Sequence, residues 1–176
     1  MFQLSPFQNT PQTDALKISA DLLRVTASEV VVTFEITGKT DLIQWPSELP
    51  LIAERRDSLW EHTCLEAFLS PSLEKSAPYV EVNCAPHGHW NCYQLSSYRH
   101  GLTPLAEGKV TLQSREQIPN GVKFVILTKG LPWSGPLHVG LTAVIEMTNG
   151  EMSYWALSHA EKEADFHSKK SFTLSI

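Results

Sequence analysis

Residues 138–157, HVGLTAVIEMTNGEMSYWAL, read as two strands joined by a turn. Apolar and polar residues alternate on both sides of Asn149-Gly150. An Asn-Gly pair is the strongest short hairpin signal, because both positions accept positive φ. A two-residue loop sets Met147 opposite Met152, Ile145 opposite Tyr154 and Val144 opposite Trp155. Successive side chains along a strand point to opposite faces. This register therefore predicts a core face of Ala143, Ile145, Met147, Met152, Tyr154 and Ala156, with Val144, Glu146, Ser153 and Trp155 on the other face. The assignment rests on alternation, and one bulge inverts it for its strand.

Similar runs, rich in Val, Ile, Thr and aromatics, recur along the chain between 11 Pro and 9 Gly. Strands are expected at 17–26, 29–37, 63–69, 78–84, 89–95, 109–115, 122–129, 137–147, 151–157 and 171–176. Long helical periodicity is absent, and only a short helix near 54–60 is predicted. About ten short strands with turns between them predict an all-β antiparallel sandwich. The 176 residues suit one domain spanning 1–176.

Composition narrows the function. With 42% hydrophobic and 19% charged residues the chain is an ordinary globular one. The net charge is −5, and the longest basic runs are Arg55-Arg56 and Lys169-Lys170, so no nucleic-acid partner is expected. No apolar run reaches membrane-spanning length, so no membrane partner is expected either. The start, MFQLSPFQNTPQTDALK, lacks signal-peptide character, and Cys64, Cys84 and Cys92 are an odd set. Both features predict a cytoplasmic protein with reduced thiols.

Parity places a carboxylate on the non-core face of three strands. In TCLEAFL, Leu65, Ala67 and Leu69 make the core face and Cys64, Glu66 and Phe68 the other. In YVEVNC, Val80, Val82 and Cys84 oppose Tyr79, Glu81 and Asn83. Glu66, Glu81 and Glu146 thus join Phe68, Tyr79, Asn83 and Trp155 on polar-aromatic faces. Carboxylates on the solvated face of an antiparallel sheet are ordinary. Interleaved with aromatics and an amide they also suit a polyhydroxylated ligand: a ring covers the apolar side of a sugar, and Glu and Asn bind its hydroxyls.

The segments ERRDSLWEHTCLEAFLSP (54–71) and YVEVNCAPHGHWNCYQLSSYR (79–99) carry a family pattern: Trp60, then Leu65-Glu66-Ala67-Phe68 and Pro71, then Tyr79-Val80-Glu81, Pro86 and Gly88. SYWAL at 153–157, DFH at 165–167 and Phe172 continue it. The chain resembles the DOMON-like domains, which are related to the type-nine carbohydrate-binding module. The resemblance implies a β-sandwich that binds sugars in some branches and haem in others, with calcium in some members. Where the module often has an acidic pair after the Trp, this chain has His62-Thr63.

The expected function is a non-enzymatic small-ligand binding module, most simply for carbohydrate, with a small sugar or glycosylated metabolite as ligand. Trp60 and Trp155 are expected to stack on it, and Glu66, Glu81, Asn83 and Glu146 to bind its hydroxyls. Arg55, Arg56 or Arg99 should hold the carboxylates, and the family pattern gives His167 a supporting role. The alternative is a protein-interaction module with a protein partner on the same face. Lesser alternatives are a glycoside hydrolase using paired carboxylates, haem binding, and zinc at Cys84, His87, His89 and Cys92. No cofactor is the leading expectation, with haem, zinc and calcium behind it. Trp45 reads as a loop anchor beside Pro46.

Overall fold

The computed structural model describes residues 1–46, 52–106, 108–118, 121–133 and 135–176, without the side chains of 113–117. Its strands are β1 (Phe2–Pro6), β2 (Leu16–Thr26), β3 (Glu29–Gly38), β4 (Cys64–Ser70), β5 (Tyr79–Cys84), β6 (Trp90–Leu95), β7 (Thr103–Pro104), β8 (Thr111–Ile118), β9 (Gly121–Leu127), β10 (His138–Glu146), β11 (Met152–Ala156) and β12 (Leu174–Ser175). All ten expected strands are present, and β1 and β7 are additions. The helix expected near 54–60 is a 3-10 turn at Leu59–Glu61, and one α-helical turn, Pro11–Asp14, is capped by Thr10.

The strands form one antiparallel sheet in the order β7-β6-β5-β4-β10-β11-β1-β2-β3-β9-β8, with β12 beside β10. β1 is the corner. Phe2, Gln3 and Leu4 pair with β2, whereas Ser5 and Pro6 pair with β11. The sheet curls there, and its two halves contribute to one core: Leu4, Val32, Phe34 and Phe124 from one side, Leu65, Val82, Leu141 and Ile145 from the other. In place of the two packed sheets expected, the strands form one continuous, curled antiparallel sheet, so the all-β class stands and the separate sheets do not. No helix among the described residues is long and apolar enough to cross a membrane.

The β10–β11 hairpin departs from the expected register by one residue. Met147 N–H donates to Glu151 O, and Glu146 pairs with Met152, so the loop is Thr148-Asn149-Gly150. Gly150 has φ +84°, the left-handed residue of a three-residue loop. The extra loop residue inverts the faces of β11. Trp155, opposite Ala143, is 2% exposed in the core, while Tyr154 faces outward opposite Val144. Trp155 therefore presents no surface to a ligand, which corrects the stacking role expected of it.

The half containing β4, β5, β6 and β10 is covered on both faces. Every residue of β4 and β5 is buried. Phe166 and Phe172, from the segment after β11, pack on its outer face together with Leu59 and Trp60 of the 3-10 turn. Gly140 makes this cover fit: a Cβ there would lie 2.9 Å from Phe172 Cδ1.

Candidate functional site: a buried polar row beside an open cleft

Register brings four polar residues into one line on this outer face. Thr142 pairs with Glu66, Glu66 with Asn83 and Asn83 with Asn91, across β10, β4, β5 and β6. In the next line, Glu81 stands between Phe68 and Tyr93. Glu66 (2% exposed), Glu81 (5%) and Asn83 (0%) therefore share the face that the alternation of β4 and β5 predicted, on neighbouring strands, but in a covered position rather than in solvent.

Their hydrogen bonds are incomplete. Thr142 Oγ1 donates to Glu66 Oε2 at 2.9 Å, and Asn83 Nδ2 donates to Glu81 Oε1 at 2.8 Å. Glu81 Oε2 and Asn83 Oδ1 are buried acceptors with no donor among the described residues. Buried polar groups are nearly always paired, so two such atoms on neighbouring residues of one face are unusual. Burial, reinforced by the charge of Glu81, pushes the Glu66 carboxyl up to about 8. Burial also raises Glu81, against the opposing effects of the Asn83 hydrogen bond and the Arg99 charge.

The arginines expected to hold these acids are engaged elsewhere. Arg55 donates to Asn91 Oδ1 (2.8 and 3.0 Å) and Cys92 O, with its guanidinium 5.3 Å from the Trp90 ring centre. Arg56 pairs with exposed Glu54, and Arg99 with Asp165, each at 2.9 Å. Each guanidinium meets an acceptor on β6, its own loop or the covering segment before it can reach the two glutamates.

Asp165 fastens that covering segment. It accepts from Tyr98 Oη (2.6 Å), Arg99 Nη2 (2.9 Å) and His167 N–H (3.1 Å). His167 Nδ1 lies 2.8 Å from Tyr79 Oη, and its ring packs edge-on against Phe68. Burial, then the Arg99 charge, lowers His167 to about 4, so it is neutral at pH 7. Lys169 Nζ donates to Ser70 Oγ and sits 4.3 Å from the Tyr79 ring centre; burial lowers its pKa to about 8.

Trp60 is half-buried, edge-on to Tyr93 at 5.4 Å between ring centres, at the border of the row. Asp57 Oδ1, three residues before it, accepts from Asn91 Nδ2 and Tyr93 Oη, each at 2.8 Å. Asp57 also lines an open cleft of about 780 Å³ with Trp45, Arg56, Glu61, His62 and Glu146. Glu146 belongs to this cleft, where its Oε2 lies 2.8 Å from His62 Nδ1, and not to the row. An apolar cluster of Leu59, Cys64, Ala85 and Val144, with Phe166, lies against the outer face toward the cleft end. The three acids therefore do not form one site.

The cysteine–histidine quartet is divided. Cys84 and Cys92 face the core, while His89 Nδ1 accepts from Glu54 N–H. Among the described residues, no three His, Cys, Asp or Glu are placed to hold a metal ion. Sequence reasoning also left out residues that belong here. Thr142 was legible, two positions before Val144 on the same face, but Asn91, Tyr93 and Asp57 needed the β5–β6 register and a loop contact. Trp45 is anchored, its Nε1 donating to Thr40 O at 2.9 Å, yet it is 38% exposed to the cleft.

No protein-family model matches the chain, and no curated protein does. Solved structures do. A Bacteroides uniformis protein provisionally named as carbohydrate-binding aligns with a TM-score of 0.58 and 12% identity, over 97% of this chain and 84% of that one. A family 9 carbohydrate-binding module from Caldicellulosiruptor kristjanssonii, in complex with cellotriose, aligns with a TM-score of 0.50 and 9% identity, over 89% and 72%. The module from that organism in complex with glucose gives 0.50 and 10%, over 93% and 76%. At these identities the likeness is one of fold: the chain is similar in architecture to carbohydrate-binding modules.

Proposed function

We propose that this chain is a non-enzymatic, DOMON-like binding domain for a small carbohydrate, taken at the polar row bordered by Trp60. The observation that carries this reading is the pair of unfilled buried acceptors, Glu81 Oε2 and Asn83 Oδ1. A sugar hydroxyl is the neutral donor that fills such a position, and the half-buried Trp60 ring offers a surface for the sugar's apolar side. Each added hydrogen bond contributes about 1 kcal/mol net. A few of them with one stacked ring correspond to dissociation constants of roughly micromolar to millimolar. The fold likeness to sugar-bound modules supports the ligand class.

One observation favours a second placement of the same ligand: the cleft is open, and Trp45 is more exposed than Trp60. Titration calorimetry with glucose, cellobiose and maltose, on the wild type and on Trp60→Ala and Trp45→Ala, separates the two. The row predicts at least tenfold weaker binding in Trp60→Ala and little change in Trp45→Ala, with melting curves confirming that both fold. The reverse pattern moves the ligand to the cleft. Binding of no sugar from a wider mono- and disaccharide panel overturns the carbohydrate reading in favour of a protein partner.

A further inference from the structure

We infer that the chain has a second carbohydrate site, apart from the row and the cleft: a cavity beside β11 where Tyr154 and Phe7 offer a platform to a neutral sugar. The inference takes its ligand class from the carbohydrate reading above and adds a place to it.

The hairpin loop creates the platform. The same extra residue that turns Trp155 into the core turns Tyr154 outward. The β1–β11 pairing of Ser5 with Ala156 and Pro6 with Trp155 runs on to Phe7, whose N–H donates to Tyr154 O at 2.8 Å. Residues directly opposite in an antiparallel pair share a face, so Phe7 and Tyr154 are neighbours on the outer one. Tyr154 packs edge-on against Phe166 of the cover, 6.0 Å between ring centres, and is still 39% exposed.

Both rings border a cavity of about 560 Å³, which shares no lining residue with the cleft. That is room for a small ligand. Each ring has a fixed neighbour. Tyr154 has Phe166, and Phe7 has the edge-on ring of His159 at 5.3 Å, whose Nε2 donates to Ser5 O at 2.9 Å. Rings held in place before a ligand arrives lose little freedom on binding it.

The polar groups of the cavity match hydroxyls. Gln8 and Gln12 line it, on a loop fixed by the reciprocal Thr10–Thr13 cap and by Thr13 Oγ1, which donates to Gln8 O at 3.1 Å. Neither side-chain amide is spent on a hydrogen bond among the described residues. An amide both donates and accepts, as a sugar hydroxyl does. The charged side chains of the cavity are Lys162 against Glu151 and Glu163, so it holds no cluster of cations for an anionic ligand. Half-buried Met152 extends the apolar surface beside the rings. An apolar platform rimmed by neutral amides suits a sugar ring, with its apolar side on the aromatics and its hydroxyls at the rim.

An amide-resolved NMR titration with cellobiose tests this, because each place is read by its own signals. The Phe7 and Tyr154 amides report the cavity, Asn83 and Asn91 the row, and His62 the cleft. Saturating shifts are expected at Phe7 and Tyr154, unchanged in Trp60→Ala. Tyr154→Ala should weaken them about fivefold or more, and Tyr154→Phe, which keeps the ring, by no more than about twofold. Gln12→Ala should weaken them about fivefold, the equivalent of one hydrogen bond. Melting curves confirm that each variant is folded. Shifts confined to the row or the cleft overturn the second site and leave the carbohydrate reading standing. Shifts at Phe7 and Tyr154 that Tyr154→Ala leaves unchanged overturn the platform. Adenosine, a planar aromatic probe, binding there more tightly than cellobiose overturns the sugar as its ligand. Shifts at none of the three places with cellobiose, maltose or glucose overturn both readings.

Discussion

In β3, Val30, Val32, Phe34 and Ile36 are buried, while Val31, Thr33 and Glu35 between them are partly exposed. In β4 and β5 every residue is buried, including Glu66, Glu81 and Asn83. The first pattern belongs to a sheet with one wet face, and its polar residues need no explanation. The second belongs to a sheet with a cover on each side, and its polar residues oppose folding unless they are paired. The 3-10 turn at Leu59–Glu61 and the Asp165–Phe172 stretch form that second cover. One half of the molecule therefore contributes mainly stability. The other buries an incompletely satisfied acid–amide row.

The largest loss is expected for Trp155→Ala. Trp155 lies in the shared core, so truncation should remove about 3–5 kcal/mol of stability, read by urea unfolding. A loss below about 1 kcal/mol would mean that β11 keeps the face expected from a two-residue turn.

The second test is pH. With Glu66 raised from 4.5 to about 8, the folded chain binds more protons than the unfolded chain in that window. Stability should therefore fall as pH rises from about 5 to 8. At about 1.4 kcal/mol for each tenfold change in proton affinity, the effect of this group is at most about 5 kcal/mol. Glu66→Gln should flatten the curve and be the more stable protein at pH 8. Parallel curves for the two proteins would show that Glu66 ionises as freely as a surface acid.

The smallest effect is expected at the wet face of the other half. Lys17 on β2 is exposed opposite Thr37, so Lys17→Ala should change unfolding by no more than about 0.5 kcal/mol. A larger loss would place a cover on that face as well.

The polar row was half legible in the sequence. Alternation within TCLEAFL and YVEVNC put Glu66, Glu81 and Asn83 on the face away from the core, and the β4–β5 pairing aligned them. Glu146 obeyed the same parity but lies at the far end of β10, since sharing a face says nothing about distance along it. The arginine partners were not legible at all. A guanidinium on a long, flexible stem takes the nearest acceptor, and Asn91, Glu54 and Asp165 are neighbours only after folding.

By itself the sequence determined the all-β class, the ten main strands and the inward faces of β4 and β5, because period-two alternation is a local property of the chain. Tertiary structure decided three things. It made one curled sheet from those strands, through the split pairing of β1. It turned Trp155 inward, through the left-handed Gly150 that adds a residue to the hairpin loop. It buried the acids, through a cover whose contacts join residues as distant in sequence as Tyr98 and Asp165. Pairing, loop geometry and burial depend on which segments meet in space, and alternation along one segment carries no record of that.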